Sequence, residues 1–112
     1  MDCLFCKIIN GEIPSKKLYE DDLVYAFYDI NPQAPVHFLV IPKAHIESAA
    51  AIFSENSAVI SHIFEVIAAL SKELALDDGF RVVSNAGKHG AQTVKHLHFH
   101  VLGGKQLSEQ IC

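Results

Sequence analysis

The sequence predicts an α+β fold: an antiparallel sheet covered by one long helix, with a second, short helix at the amino terminus. Three observations carry this. Apolar residues recur at helical spacing once, from about residue 57 to 76; several short β-rich runs are joined by connections too short for parallel crossovers; and 50% of the 112 side chains are apolar. That is enough for one core and too short a chain for two, so residues 1–112 read as a single domain.

In chain order, Leu4, Phe5, Ile8 and Ile9 form the apolar side of a short helix within residues 1–13, stopped by Gly11 and Pro14. Leu18–Tyr19 and Leu23–Tyr28 are extended runs around the Glu20-Asp21-Asp22 turn, a hairpin. The prolines of Asn31-Pro32-Gln33-Ala34-Pro35 impose a loop, because each fixes its own φ and excludes the helical region for the residue before it. Val36–Ile41 is nearly all apolar and β-branched, a central strand covered on both faces and ended by Pro42. Val59, Ile60, Ile63, Phe64, Ile67, Leu70 and Leu74 mark the long amphipathic helix, with Asp77-Asp78-Gly79 as its stop. Phe80–Ser84 is a strand, residues 85–92 a loop, and Val94–Leu102 a final strand closed by Gly103-Gly104. The helix is expected to pack on one sheet face.

Nine Lys and Arg against thirteen Asp and Glu leave a charge of −4, so no global field draws the chain onto nucleic acid or an anionic membrane. No apolar run approaches the roughly 20 residues of a membrane span. Residues 1–15 carry Asp2 and two cysteines where a secretory signal needs a basic start and an apolar stretch, so a cytoplasmic location is expected. Three cysteines, two of them close together, do not make a disulfide framework.

The chemistry concentrates in His96-Leu97-His98-Phe99-His100-Val101-Leu102. On a strand, alternation sets the three imidazoles on one face, roughly 6.5–7 Å apart, and sends Leu97, Phe99 and Val101 to the core. Such a face serves either as three zinc ligands or as a nucleophile with phosphate-binding neighbours. The preceding Asn85-Ala86-Gly87-Lys88-His89-Gly90-Ala91-Gln92-Thr93 is polar and glycine-bearing, and its N–H groups, the Thr93 hydroxyl and the Asn85 amide could cradle phosphate oxygens. Its bland reading is an ordinary long turn. Cys3-x-x-Cys6 is open between a redox pair, half of a zinc site and an accident; a redox motif would follow a strand, and none can precede it here. His37, His62 and His89 read as structural or solvated.

These residues resemble the signature of the histidine triad (HIT) family of nucleotide hydrolases and transferases. The resemblance to its Hint branch runs through Phe5-Cys6-Lys7-Ile8-Ile9, Glu12-Ile13-Pro14, residues 28–35, residues 37–43, His45-Ile46 and Val101-Leu102-Gly103-Gly104. It implies a HIT-like antiparallel meander with one long and one short helix. It also implies a purine nucleotide or nucleotide conjugate as ligand, with His98 as the nucleophile attacking an α-phosphorus. His100, Asn85 and Thr93 are then the groups that hold phosphate oxygens and assist the leaving group, with Ala91 in the same phosphate loop. Asp29 matches the ribose-binding acid, and Phe5, Ile8, Phe27 and Ile30 match the apolar walls around the base. In bacterial members a similar Cys pair joins two histidines around a structural zinc, and the matching positions are Cys3, Cys6, His45 and His96. The branch also implies a homodimer, for which the long helix is the candidate contact.

Two departures stand out. Ala91-Gln92-Thr93 replaces Gly-Gln-Ser in the phosphate loop, and residues 108–112 lack the tryptophan found in animal Hint tails. Hydrolysis of purine nucleoside phosphoramidates is the expected activity. A diadenosine polyphosphate hydrolase or nucleotidyl transferase would use the same His98, and a non-catalytic nucleotide-binding regulatory module is the reading from a different class.

Overall fold

Two helices sandwich a five-stranded antiparallel sheet in a computed structural model that describes residues 3–111. The elements are α1 (Leu4–Ile9), β1 (Lys17–Glu20), β2 (Val24–Tyr28), β3 (Val36–Pro42), α2 (Ala58–Glu73), β4 (Phe80–Val83) and β5 (Phe99–Gly103), with a 3₁₀ turn at Ala49–Ala51. The sheet order is β1-β2-β3-β5-β4. The first three strands form a meander; the α2 crossover then carries β4 two positions beyond β3, and β5 returns antiparallel to fill the gap.

Alternation along β2 and β3 divides the apolar residues between two cores. Val24, Ala26, Phe38 and Val40 meet Ile63, Val66, Ile67 and Leu70 of α2, with Leu97, Phe99 and Val101 in the same cluster. Tyr25, Phe27, Leu39 and Ile41 face the other way and are covered by Cys3, Phe5 and Ile8 of the α1 segment. Both faces of β3 are therefore buried, as its composition predicts. Fully burying one such aliphatic side chain contributes roughly 1.5–3 kcal/mol, so α2 is held mainly by its stripe.

Two elements differ from the sequence reading. Helix α2 ends at Glu73, before Asp77-Asp78-Gly79, because Ala75 adopts φ +57°. The Leu76 N–H then bonds the Ser71 carbonyl at 2.8 Å and the Ala75 N–H the Lys72 carbonyl at 3.1 Å, a Schellman closure. The final strand begins only at Phe99, not Val94. Residues 94–98 do not pair with β3: the His96 N–H turns back to the Val94 carbonyl at 2.9 Å and the Leu97 N–H bonds the Ile46 carbonyl at 2.6 Å. His96 stays on the α1 side with His98, both rings against Phe5, and its Nδ1 lies among Cys3, Cys6 and His45. Cys112, expected to be a free thiol, lies outside the described residues. No described helix is long and apolar enough to cross a membrane.

Candidate active site

Strands β3 and β5 build the site on the α1 face. Leu39 pairs with His100, and His37 shares the side of β3 taken by Leu39 and Ile41, so the two imidazoles meet diagonally across neighbouring strands. Just before β5, His98 stacks edge to face with His100, ring centroids 5.1 Å apart at 71°, closer than regular strand spacing predicts because residue 98 precedes the ladder. Phe5 of α1 closes the other side, its ring 5.1 Å from His98 and 5.6 Å from Phe27.

Hydrogen bonds assign each ring its proton. Nδ1 of His98 lies 2.7 Å from the His96 carbonyl oxygen. A carbonyl only accepts, so Nδ1–H donates and Nε2 carries the free lone pair. For His37 the logic is inverted: the Gln33 N–H donates to its Nδ1 at 3.0 Å, placing the ring proton on Nε2. Burial holds His37 below its ordinary range against the opposing pull of Asp29, and the ring is neutral at pH 7. Its Nε2–H lies 2.9 Å from His100 Nδ1, with Asp29 Oδ2 3.4 Å away. His100 therefore accepts at Nδ1 and presents Nε2–H. Burial, then the neighbouring His98 and His37, push the His100 imidazole down to about 4, so it too is neutral. One ring offers a lone pair and its neighbour offers a proton.

The same reasoning separates two clusters with metal-ligand spacing. Asp29, His37 and His100 bring one ligand atom each within 4.8 Å of one another, yet His37 Nε2 holds a proton where a metal would need its lone pair. Cys3, Cys6, His45 and His96 pass that test. The wholly buried His96 donates Nε2–H to the Pro42 carbonyl at 2.8 Å, which leaves Nδ1 as its free lone pair. That nitrogen lies 3.3 Å from Cys3 Sγ, 3.5 Å from Cys6 Sγ and 3.2 Å from His45 Nδ1, and Cys6 Sγ lies 3.5 Å from His45 Nδ1. Zinc bond lengths at tetrahedral angles call for ligand separations of roughly 3.3–3.8 Å. Burial, then the adjacent Cys3, push the Cys6 thiol up to about 11, so a thiolate there calls for a neighbouring cation.

Of the remaining sequence candidates, Phe5 and Ile8 of α1 are buried in one cluster with Phe27 of β2. Asp29 and Ile30 line a groove of about 440 Å³ with Lys16, Tyr28 and His37, and Ile30 is 99% exposed at its rim, apart from the other apolar walls. Thr93 lines a different groove, of about 640 Å³, beside Cys3 and His45. Asn85 and Thr93 make no side-chain hydrogen bond to the histidines among the described residues. Ala91 sits at φ +58°, the left-handed region that its glycine counterpart would occupy freely. His37, read from the sequence as structural or solvated, lies 2.9 Å from His100. Its signal was the alternation His37, Leu39, Ile41, which becomes informative only once the register with β5 is known.

The chain belongs to the HIT domain family, whose model matches residues 10–107. Among solved structures, it is similar to a histidine triad protein from Clostridium difficile, with 54% identity and a TM-score of 0.94 over 98% of this chain and 96% of the other. A HIT family hydrolase from Clostridium thermocellum matches at 42% identity and TM-score 0.96, covering 99% and 97%. A histidine triad nucleotide-binding protein from Candida albicans matches at 38% and 0.82, covering 99% and 87%.

Proposed function

We propose that the chain hydrolyses purine nucleoside phosphoramidates to the nucleoside monophosphate and an amine, through a nucleotidyl intermediate on His98. The observation that carries this reading is the proton arrangement: a bare His98 Nε2 beside a neutral His100 that offers Nε2–H. The His98 lone pair attacks the α-phosphorus, the bond from phosphorus to the amine nitrogen breaks, and the amine leaves with a proton taken from solvent while the neutral His100 steadies it through a hydrogen bond from its Nε2–H. Water then attacks the same phosphorus, gives its proton to solvent, and the P–N bond to His98 breaks. Two in-line displacements replace one slow attack by water. Asp29 would accept hydrogen bonds from the ribose hydroxyls. Asn85, Ala91 and Thr93 would face phosphate oxygens, and Phe5, Ile8, Phe27 and Ile30 would line the base. Support also comes from relatives named as a hydrolase and as a nucleotide-binding protein.

Cys3, Cys6, His45 and His96 would hold zinc, which leaves no open coordination position and supplies stability rather than chemistry. A thiol pair in that role fits a reducing cytoplasm. A homodimer is the proposed assembly, supported by the exposed Phe53, Phe64 and Phe80 and by the unpaired edge of β4.

Steady-state hydrolysis of adenosine phosphoramidate, beside diadenosine polyphosphate, tests the reading. The phosphoramidate should be preferred, folded His98→Ala should lose at least about 10³-fold, and an alkaline-quenched native reaction should carry a nucleotidyl adduct on His98. Undiminished turnover in the variant would refute the mechanism.

A further inference from the structure

The segment between β4 and β5 leaves the sheet beside His100, which pairs with Val83, and returns to it at Phe99. Its start is tied to the nucleophile, since the Ser84 hydroxyl donates to the His98 carbonyl at 2.8 Å. Beyond that point the loop has no strand to pair with and must be held by its own bonds. One side chain makes most of them. The Gln92 carboxamide oxygen accepts the Gly87 N–H at 2.9 Å, and its Nε2 donates to the Glu47 carbonyl at 2.7 Å and the Val94 carbonyl at 3.0 Å. Both N–H groups and the oxygen are thus engaged. With the Gln92 N–H on the Gly87 carbonyl at 3.0 Å, residues 87 and 92 clasp each other through backbone and side chain together.

What this clasp holds is a tight conformation. Ala91 lies at φ +58°, and Gly90 packs so closely on Ala86 that an added Cβ would stand 2.6 Å from its carbonyl oxygen. Neither is a conformation that a loose turn keeps unaided. The outward bond matters equally. Glu47 follows Ile46, whose carbonyl takes the Leu97 N–H at 2.6 Å, so residues 46 and 47 anchor both the loop and the segment that carries His96 and His98.

We propose that Gln92 is the positioning residue of the site: its carboxamide fixes residues 87–93 against residues 46 and 47 and thereby sets where the loop stands relative to His98 and His100. The inference rests on the reading above, in which this loop meets the phosphate. Gln92 itself touches no reacting atom. Its contribution is to the alignment of the phosphoryl group, which matters most in the transition state, where a misplacement of about 1 Å costs on the order of 10²-fold.

Gln92→Met keeps the side chain's length and removes all three bonds; Gln92→Ala serves as a second variant should the first fold poorly. For adenosine phosphoramidate, kcat is expected to fall about tenfold to a hundredfold, with KM within about threefold, and amide exchange at Gly87 to accelerate. A general loss of structure would instead lower the active fraction in step with thermal stability. Faster exchange at Gly87 with unchanged kcat would overturn the proposal, as would unchanged exchange in both variants. Should the native protein turn over no nucleotide, the catalytic reading fails separately, and AMP affinity becomes the measure: weakening about tenfold in the variants sustains the positioning role, and an unchanged Kd ends it.

Discussion

At the scale of single residues, the site is a problem in where protons sit. His98 and His100 are chemically identical side chains, yet one is made a lone-pair donor by a carbonyl on its Nδ1 and the other a proton donor by an N–H on its Nδ1. His37 is the intermediary, and its own tautomer is imposed by the Gln33 backbone. Replacing His37 by Phe leaves His100 Nδ1 without its donor, so kcat should fall by about 10²-fold, the usual scale of one misdirected acid or base, as measured on adenosine phosphoramidate. The depressed His100 makes a second expectation. Because the unfolded imidazole takes up a proton near 6.5 and the folded one only near 4, the unfolded state binds more protons in between, and stability should rise with pH across that window. Side-chain NMR should place the His100 midpoint near 4, and a midpoint near 6.5 would contradict the buried geometry.

Elements carry a different lesson, since their ends depend on backbone conformation that composition registers poorly. Ala75 takes the left-handed position that closes α2, a place where glycine carries no Cβ penalty. Ala75→Gly is expected to stabilise the fold by up to about 1 kcal/mol, read from urea unfolding. The β1–β2 turn is fastened to α2 by His62, whose Nε2 lies 2.6 Å from Asp21 Oδ2. Against burial, His62, the Leu23 and Val24 N–H groups and Tyr19 hold the Asp21 carboxyl below its ordinary range. In return the Asp21 bond raises His62. A raised histidine contributes fully below the unfolded value near 6.5 and loses its contribution as pH climbs through the folded value. Between pH 6 and pH 8.5 the native chain should therefore lose a small increment of stability that His62→Gln does not, as denaturant midpoints would show.

For the molecule as a whole, the Cys3, Cys6, His45 and His96 cluster brings the amino terminus against the segment that carries His98. Zinc at 1,000 times its Kd would add about 4 kcal/mol, so chelation should lower Tm by more than about 10 °C, and Cys3→Ser with Cys6→Ser should make the protein indifferent to the chelator. Metal analysis of the purified native chain returning no zinc would remove the basis for this. Sedimentation at micromolar concentration is expected to show a dimer, and a monomer would refute the assembly.

Much of this was legible before any coordinates. Periodicity located α2, the Glu20-Asp21-Asp22 turn between two extended runs located the hairpin, and the alternation of Leu97, Phe99 and Val101 correctly named the residues that enter the α2 core, because burial of a face repeats at the period of its element. The HIT signature then named the triad and the four ligand candidates. What the linear pattern could not hold were facts created by two distant segments meeting. His37 meets His100 only through the register of β3 on β5, and His96 meets Cys3, Cys6 and His45 only because the amino-terminal segment and residue 45 fold against it. The two histidine clusters likewise differ in which ring nitrogen is free, through the carbonyl or N–H placed against each ring, a matter of tertiary hydrogen bonding. The sequence by itself determined which residue types are available and on which face each lies; the tertiary structure decided which nitrogen of each imidazole is free, because a proton's place on a ring depends on a partner from elsewhere in the chain.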